Sequence, residues 1–173
     1  MSIDNCRYSY DELTETVLPE YLKSLKQEFE SPIPMSNFTE EGVGIRTLLN
    51  QFGFESDFPG CYVLIESGEP IYVGISQKVV TRINQHVNGK NHFSASLAYR
   101  MAVDVYDGDI EQSTRKQLMN VDNFYALFEE KKRYLSSLDV AFIGIDNPVE
   151  RYLFEIYCAM AFDTSQWNTF ETH

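Results

Sequence analysis

Two short β-rich runs, residues 61–66 (CYVLIE) and 70–75 (PIYVGI), are separated only by Ser67-Gly68-Glu69. β-branched and aromatic residues either side of a Ser-Gly turn signal read as a hairpin. A hairpin fixes its two strands side by side, so Tyr62 and Tyr72, ten residues apart in the chain, are brought onto neighbouring strands. A third apolar run, residues 139–145 (DVAFIGI), fits a buried strand.

The remaining chain reads as helix. Over residues 9–30, Leu13, Val17, Leu18, Tyr21, Leu22, Leu25 and Phe29 recur at near-helical spacing with acids on the other face. Pro19 inside that pattern predicts a kink or a boundary, and Ser31-Pro32-Ile33-Pro34 ends it. A short helix is expected around 40–52, before the break at Phe58-Pro59-Gly60. Beyond the hairpin, Val79, Val80, Ile83 and Val87 give an apolar face to a helix over 77–88. Residues 94–104 and the long stretch 111–135 also read as helical. A last helix over 148–162 has Pro148 in its first turn and Asp146 or Asn147 as cap. Its apolar stripe is Val149, Tyr152, Leu153, Ile156, Ala159 and Met160. Strands and helices in this order make an α+β chain, with residues 1–58 an acidic helical N-terminal extension to a domain over 59–173.

Composition removes several classes. With 173 residues, 43% of them hydrophobic and 14% aromatic, the chain has the material for one ordinary core and is not disordered. No apolar run approaches the ~20 residues of a membrane span, and the N-terminus lacks the basic cap and apolar stretch of a secretory signal. Cys6, Cys61 and Cys158 are odd in number and scattered, with no CxxC pair. Neither a disulfide scaffold nor a thiolate zinc site is expected, and a cytoplasmic location is.

Fourteen Lys and Arg against 26 Asp and Glu give a net charge of -12, which argues against tight, non-specific binding to nucleic acid. The charge is uneven. Residues 1–58 carry -7, 103–150 carry -5 and 151–173 carry -2, whereas 59–102 carry +2 through Lys78, Arg82, Lys90 and Arg100. A phosphate-bearing ligand is expected on that stretch.

The segment Pro59 to Asn88, PGCYVLIESGEPIYVGISQKVVTRINQHVN, resembles the GIY-YIG nuclease domain. Gly60-Cys61-Tyr62 stands for the first motif and Tyr72-Val73-Gly74 for the second, with Arg82 eight residues beyond Gly74 and His86 four later. The run 149–155 (VERYLFE) looks like the helix with the family's metal-binding glutamate, best matched by Glu155 with Glu150 as competitor, and Asn168 falls at the family's terminal asparagine. The resemblance covers about 59–170 and implies a small three-stranded, mostly antiparallel sheet flanked by helices. It further implies a metal-dependent endonuclease acting on DNA, with Mg2+ or another divalent cation on Glu155. Tyr62, Tyr72, Arg82, His86 and Glu155 are the expected catalytic residues, and Gly74, Lys78, Lys90 and Asn168 the expected substrate contacts.

The residue chemistry agrees with that implication. Arg82 and His86 at i, i+4 share one helix face, at the edge of the packed stripe. A guanidinium there suits phosphate oxygens and the charge that develops on them. Glu155 lies among apolar stripe residues, and a shielded carboxylate needs a partner, for which a divalent cation is one candidate. Each residue alone has an ordinary explanation in packing, a helix charge or an ion pair; their order on the right elements carries the reading.

Four features depart from the family pattern or remain outside it. Cys61 occupies a position more often aliphatic, and Thr81 stands where several relatives carry lysine. The segment from His86 to the third strand runs past 50 residues and contains the polar loop 90–96, with His92 as a surface residue. Residues 131–133 (Lys-Lys-Arg) are explained as a solvated helix end. So acidic a chain should bind DNA weakly and salt-sensitively, and no separate DNA-binding domain is expected after Asn168. Specificity would come from loop 88–96, from a second copy in a homodimer, or from a partner. The rival reading is a catalytically inactive GIY-YIG-like interaction module using its acidic surfaces on a protein partner or binding nucleic acid; a related thought makes the acidic prefix a removable cover of the site.

Overall fold

The computed structural model describes residues 3–110 and 112–170. In chain order it contains α1 (Tyr10–Glu12), a π-helical turn (Leu13–Val17), α2 (Leu18–Glu28), β1 (Ile33–Pro34), a 3-10 turn (Met35–Thr39) and α3 (Ile45–Gln51). Then follow β2 (Gly60–Glu66), β3 (Glu69–Ser76), α4 (Val79–Asn88), α5 (Ser96–Val105), α6 (Arg115–Leu118), α7 (Asp122–Ser136), β4 (Asp139–Gly144) and α8 (Pro148–Phe162). The strands form one sheet in the order β1-β4-β2-β3. No described helix is long and apolar enough to cross a membrane.

The α+β class and the antiparallel sheet agree with the sequence reading, but the sheet has four strands where three were expected. The added strand is the two-residue β1. Prolines at 32 and 34 stop a helix and hold the backbone extended, and a segment this short has no alternation to read.

Contacts divide the chain into two compact units. The first, residues 1–33, 56–79 and 139–173, holds β2 between β3 and β4, antiparallel to both. Cys61, Val63, Ile65, Val73 and Ala141 form a core with Leu18 and Leu25 of α2 and Phe154, Cys158 and Ala159 of α8. The acidic prefix is therefore no removable cover, since two of its leucines are core residues of this unit. Its entry is fixed by a capping box in which the Ser9 side chain accepts from Glu12 N and Glu12 accepts from Ser9 N at 2.7 Å.

The boundary expected at Pro19 is present, as a change of helix type rather than a break in the run. Pro19 falls in the first turn of α2, directly after the π-helical turn. Proline lacks an N–H and crowds the carbonyl four residues back; the wider π turn removes the need for that bond.

The second unit comprises residues 34–55 and 80–138. Here Phe124 of α7 packs on Tyr99 at 5.3 Å and Tyr106 at 5.2 Å, and Met35, Phe38, Leu48, Leu97, Met101, Phe128 and Leu135 are buried. The helix expected over 40–52 begins only at Ile45, because Gly42 takes φ +77. The single helix expected over 111–135 is instead α6 and α7. Thr114 caps α6 by accepting from Gln117 N, and turn hydrogen bonds at Met119, Asn120 and Val121 close it after one turn.

Leu25 is fully buried in the sheet's core. Leu25→Ala should cost about 2–5 kcal/mol, measured by urea unfolding, and deletion of residues 1–30 should yield no cooperatively folding protein.

Candidate active site

In the first unit, strand register sets the two motif tyrosines. Tyr62 pairs with Gly74 on one side and Phe142 on the other, while Tyr72 pairs with Leu64. Residues paired across antiparallel strands share a face, and residues two apart on a strand do too. Tyr62, Leu64, Tyr72 and Gly74 therefore lie on one face, and the Tyr62 and Tyr72 rings sit 6.2 Å apart. Gly74 is needed for this. A Cβ there would collide with Cζ and the hydroxyl of Tyr62, so the phenol runs across the bare backbone of β3. Tyr62 is 1% exposed and Tyr72 half-buried.

Asn168 braces the same strand. Its Nδ2 donates to Val73 O at 2.8 Å, and its Oδ1 accepts from Val73 N at 2.9 Å and from the Thr164 hydroxyl at 2.9 Å. The side-chain amide thus acts as a one-residue strand on the edge of β3. Both its ends are occupied by protein groups.

Two carboxylates on α8 have opposite surroundings. Glu150 is buried and accepts from the Tyr21 hydroxyl at 2.6 Å and the Cys6 thiol at 3.9 Å. Next to it, buried Arg151 donates to Ile145 O at 3.0 Å. Glu155 has no hydrogen-bond or ion-pair partner among the described residues. Its carboxyl is pushed up to about 7 by burial. It lies close enough to Cys61, whose side chain is on the α8 face of the sheet and not on the face that carries Tyr62 and Tyr72, to help hold that buried thiol protonated, after burial itself and the Cys158 thiol. The expected apolar stripe of α8 is rotated. Tyr152, Ile156 and Met160 are exposed, and Phe154, Cys158 and Ala159 meet the sheet, because the tyrosine and carbonyl partners of Glu150 and Arg151 let those charged groups turn inward.

In the second unit, Arg82 on α4 is half-buried and tied to neutral acceptors. Its Nη1 donates to Ser94 O at 2.7 Å and Gln85 Oε1 at 3.3 Å, and its Nη2 donates to Ser96 Oγ at 2.8 Å. These partners orient the guanidinium without cancelling its charge. His86 is wholly buried rather than at the stripe's edge, because Ile83 and Val87 beside it are buried too. Burial, then the charges of Arg82 and Arg100, hold its imidazole well below the usual histidine range and therefore neutral. Lys78, in the first unit, and Lys90, in the second, are exposed. His92 is buried against Phe93 at 4.1 Å and Tyr99 at 5.7 Å, where a surface position was expected. Its ring completes the aromatic packing of α5.

Arg100 and the Ser94–Ser96 anchor of Arg82 escaped assignment from sequence. Arg100 had one legible signal, its place as the fourth base in the one non-acidic stretch. The anchor had none, since a backbone carbonyl has no side-chain signature. Among the described residues no three His, Cys, Asp or Glu are grouped to hold a metal. A partly desolvated single carboxylate without a cationic neighbour fits an ion held through one protein carboxylate plus ligands from water and substrate.

Residues 58–137 match the family model of the GIY-YIG catalytic domain. The matched segment includes Tyr62, Tyr72, Gly74, Arg82 and His86 and stops short of Glu155 and Asn168. No curated protein and no solved structure matches the chain.

Two outcomes follow from this geometry. Gly74→Ala should cost about 1–3 kcal/mol by displacing the Tyr62 ring, read by urea unfolding and near-ultraviolet circular dichroism. Because the folded Glu155 carboxyl titrates near 7 against an ordinary 4.5, the folded state holds the extra proton between those values, and stability falls as pH rises through that window. Glu155→Gln should remove the fall, gaining roughly 1–2 kcal/mol over wild type at pH 7.5 after allowance for partial solvent screening.

Proposed function

We propose that this chain is a metal-dependent endonuclease of the GIY-YIG family hydrolysing DNA phosphodiester bonds, its nuclease domain spanning 59–173 and residues 1–58 an extension that completes the core. The family is one of nucleases; DNA as substrate and a divalent cation as cofactor are the proposed parts. One observation carries the reading: Glu155 is a partly desolvated carboxylate with no partner among the described residues. Retaining such a group has a cost that a bound cation would offset. The inactive-module reading calls for that acid to be paired internally, and the paired acid on α8 is Glu150.

Glu155 would hold the cation, with magnesium the expected ion. When bound, the cation supplies Lewis-acid polarisation of the phosphate and stabilises charge on the leaving oxygen. The Tyr62 hydroxyl would orient the attacking water by a hydrogen bond; as the new P–O bond forms and the bond to the leaving strand breaks, the attacking water's proton passes to solvent water, and solvent water returns a proton to the leaving oxygen. Tyr72, 6.2 Å away ring to ring, positions that water. Arg82 offsets the negative charge that grows on the phosphate, its guanidinium already oriented by Ser94 and Ser96. His86, neutral and buried behind Arg82, is a positioning residue. Gly74 and Asn168 serve the substrate by shaping β3 around the phenol, and Lys78 and Lys90 contact the DNA backbone.

Arg82→Ala and Glu155→Gln should each lower plasmid nicking in magnesium by about 100-fold or more with unchanged far-ultraviolet circular dichroism; full activity in both would remove the nuclease assignment. Magnesium at pH 7.5 should raise the melting temperature of the wild type and leave that of Glu155→Gln in place.

A further inference from the structure

We propose that a cleft of about 600 Å3 in the second unit, lined by α4 and α7, takes one unpaired nucleotide of the DNA strand, its phosphate between Lys90 and Arg133 and its base on Tyr125. This rests on the DNA reading above and adds a binding position for the strand beyond Lys90.

The second unit holds nine of the fourteen basic residues against ten acids, and the first holds five against sixteen. The second unit is therefore the less repulsive of the two toward phosphate. Within its cleft the one acid, Glu129, accepts from Lys132 Nζ at 2.9 Å and is neutralised. Lys90 and Arg133 are exposed and have no side-chain partner among the described residues. Lys131, by contrast, pairs with Glu130 at 3.4 Å and fits a solvated helix charge. Only part of the 131–133 run thus stays a plain helix end; Arg133 faces the cleft with Lys90, more than forty residues away in the chain.

Tyr125 adds the feature a phosphate site does not need. It is 42% exposed, and its ring packs 6.0 Å from buried Phe128, which holds it as a fixed platform. A base can stack there only with its own face uncovered, which requires an unpaired nucleotide. The volume lies within the ~300–1,000 Å3 of small-ligand sites, enough for a single nucleotide unit.

The test uses fluorescence anisotropy of the full chain with a short labelled single-stranded DNA and its abasic analogue, in EDTA so that nothing is cut. Lys90→Gln with Arg133→Gln should weaken both strands about five- to tenfold and lower the salt slope by about 0.7, for the one phosphate no longer neutralised. Tyr125→Ala should weaken the base-bearing strand at least about fivefold and leave the abasic strand unchanged. Unchanged affinity and slope in the double variant, or equal weakening of both strands for Tyr125→Ala, would overturn the proposal. Nicking by wild type with cleft variants that bind normally would remove the cleft alone, and cleft-dependent binding without nicking would remove the nuclease reading alone.

Discussion

The register of β2 against β3 is the constraint from which the candidate site follows. Because Tyr62 stands opposite Gly74, its phenol lies over the one residue on β3 with no side chain, and Tyr72 reaches the same face two residues away. A slip of β3 by one residue would turn Tyr72 toward the core under α8 and take Gly74 from beneath Tyr62. That core resists the slip, since Cys61, Val63 and Val73 are packed by α2 and α8. The apolar face of the sheet thus fixes the polar face. It also explains why an acidic helical prefix is built into the fold: Leu18 and Leu25 lie on the layer that pins the register.

Electrostatics divide along the same units. The first is crowded with acids, and the carboxylates it buries are treated differently, Glu150 satisfied by a phenol and a thiol, Glu155 left without a partner. The second unit orients its central guanidinium with a carbonyl, a hydroxyl and an amide rather than with an acid. An acid in that place would hold Arg82 equally firmly and cancel the charge that a phosphate would meet. Neutral anchoring preserves the charge while removing much of the side chain's freedom.

The hairpin, the third strand and most helices were legible because each has a strong local signal: a Ser-Gly turn, an apolar run, a proline at a helix start. What was missed depends on tertiary partners. Residues 33–34 are too few to show alternation. Tyr152, Ile156 and Met160 fit an apolar stripe by spacing, yet burial went to the stripe containing Glu150 and Arg151, whose partners lie 129 residues back in one case and on a loop carbonyl in the other. The candidate site rests on residue types and their order in the chain. Its supports were not legible, because the Asn168 brace, the Ser94 carbonyl under Arg82 and the burial of His86 arise from where backbone passes.

The Asn168 brace has a consequence for how the chain matures. β3 is an outer strand, and the amide that satisfies Val73 lies 95 residues downstream. During synthesis the hairpin leaves the ribosome long before that amide exists, so its outer rim stays open to pairing with foreign strands. Closure of the rim waits for the segment after α8, which couples protection from aggregation to completion of the phenol-bearing strand. A nascent chain would remain sticky and unfinished together, and both conditions would end when one side chain docks.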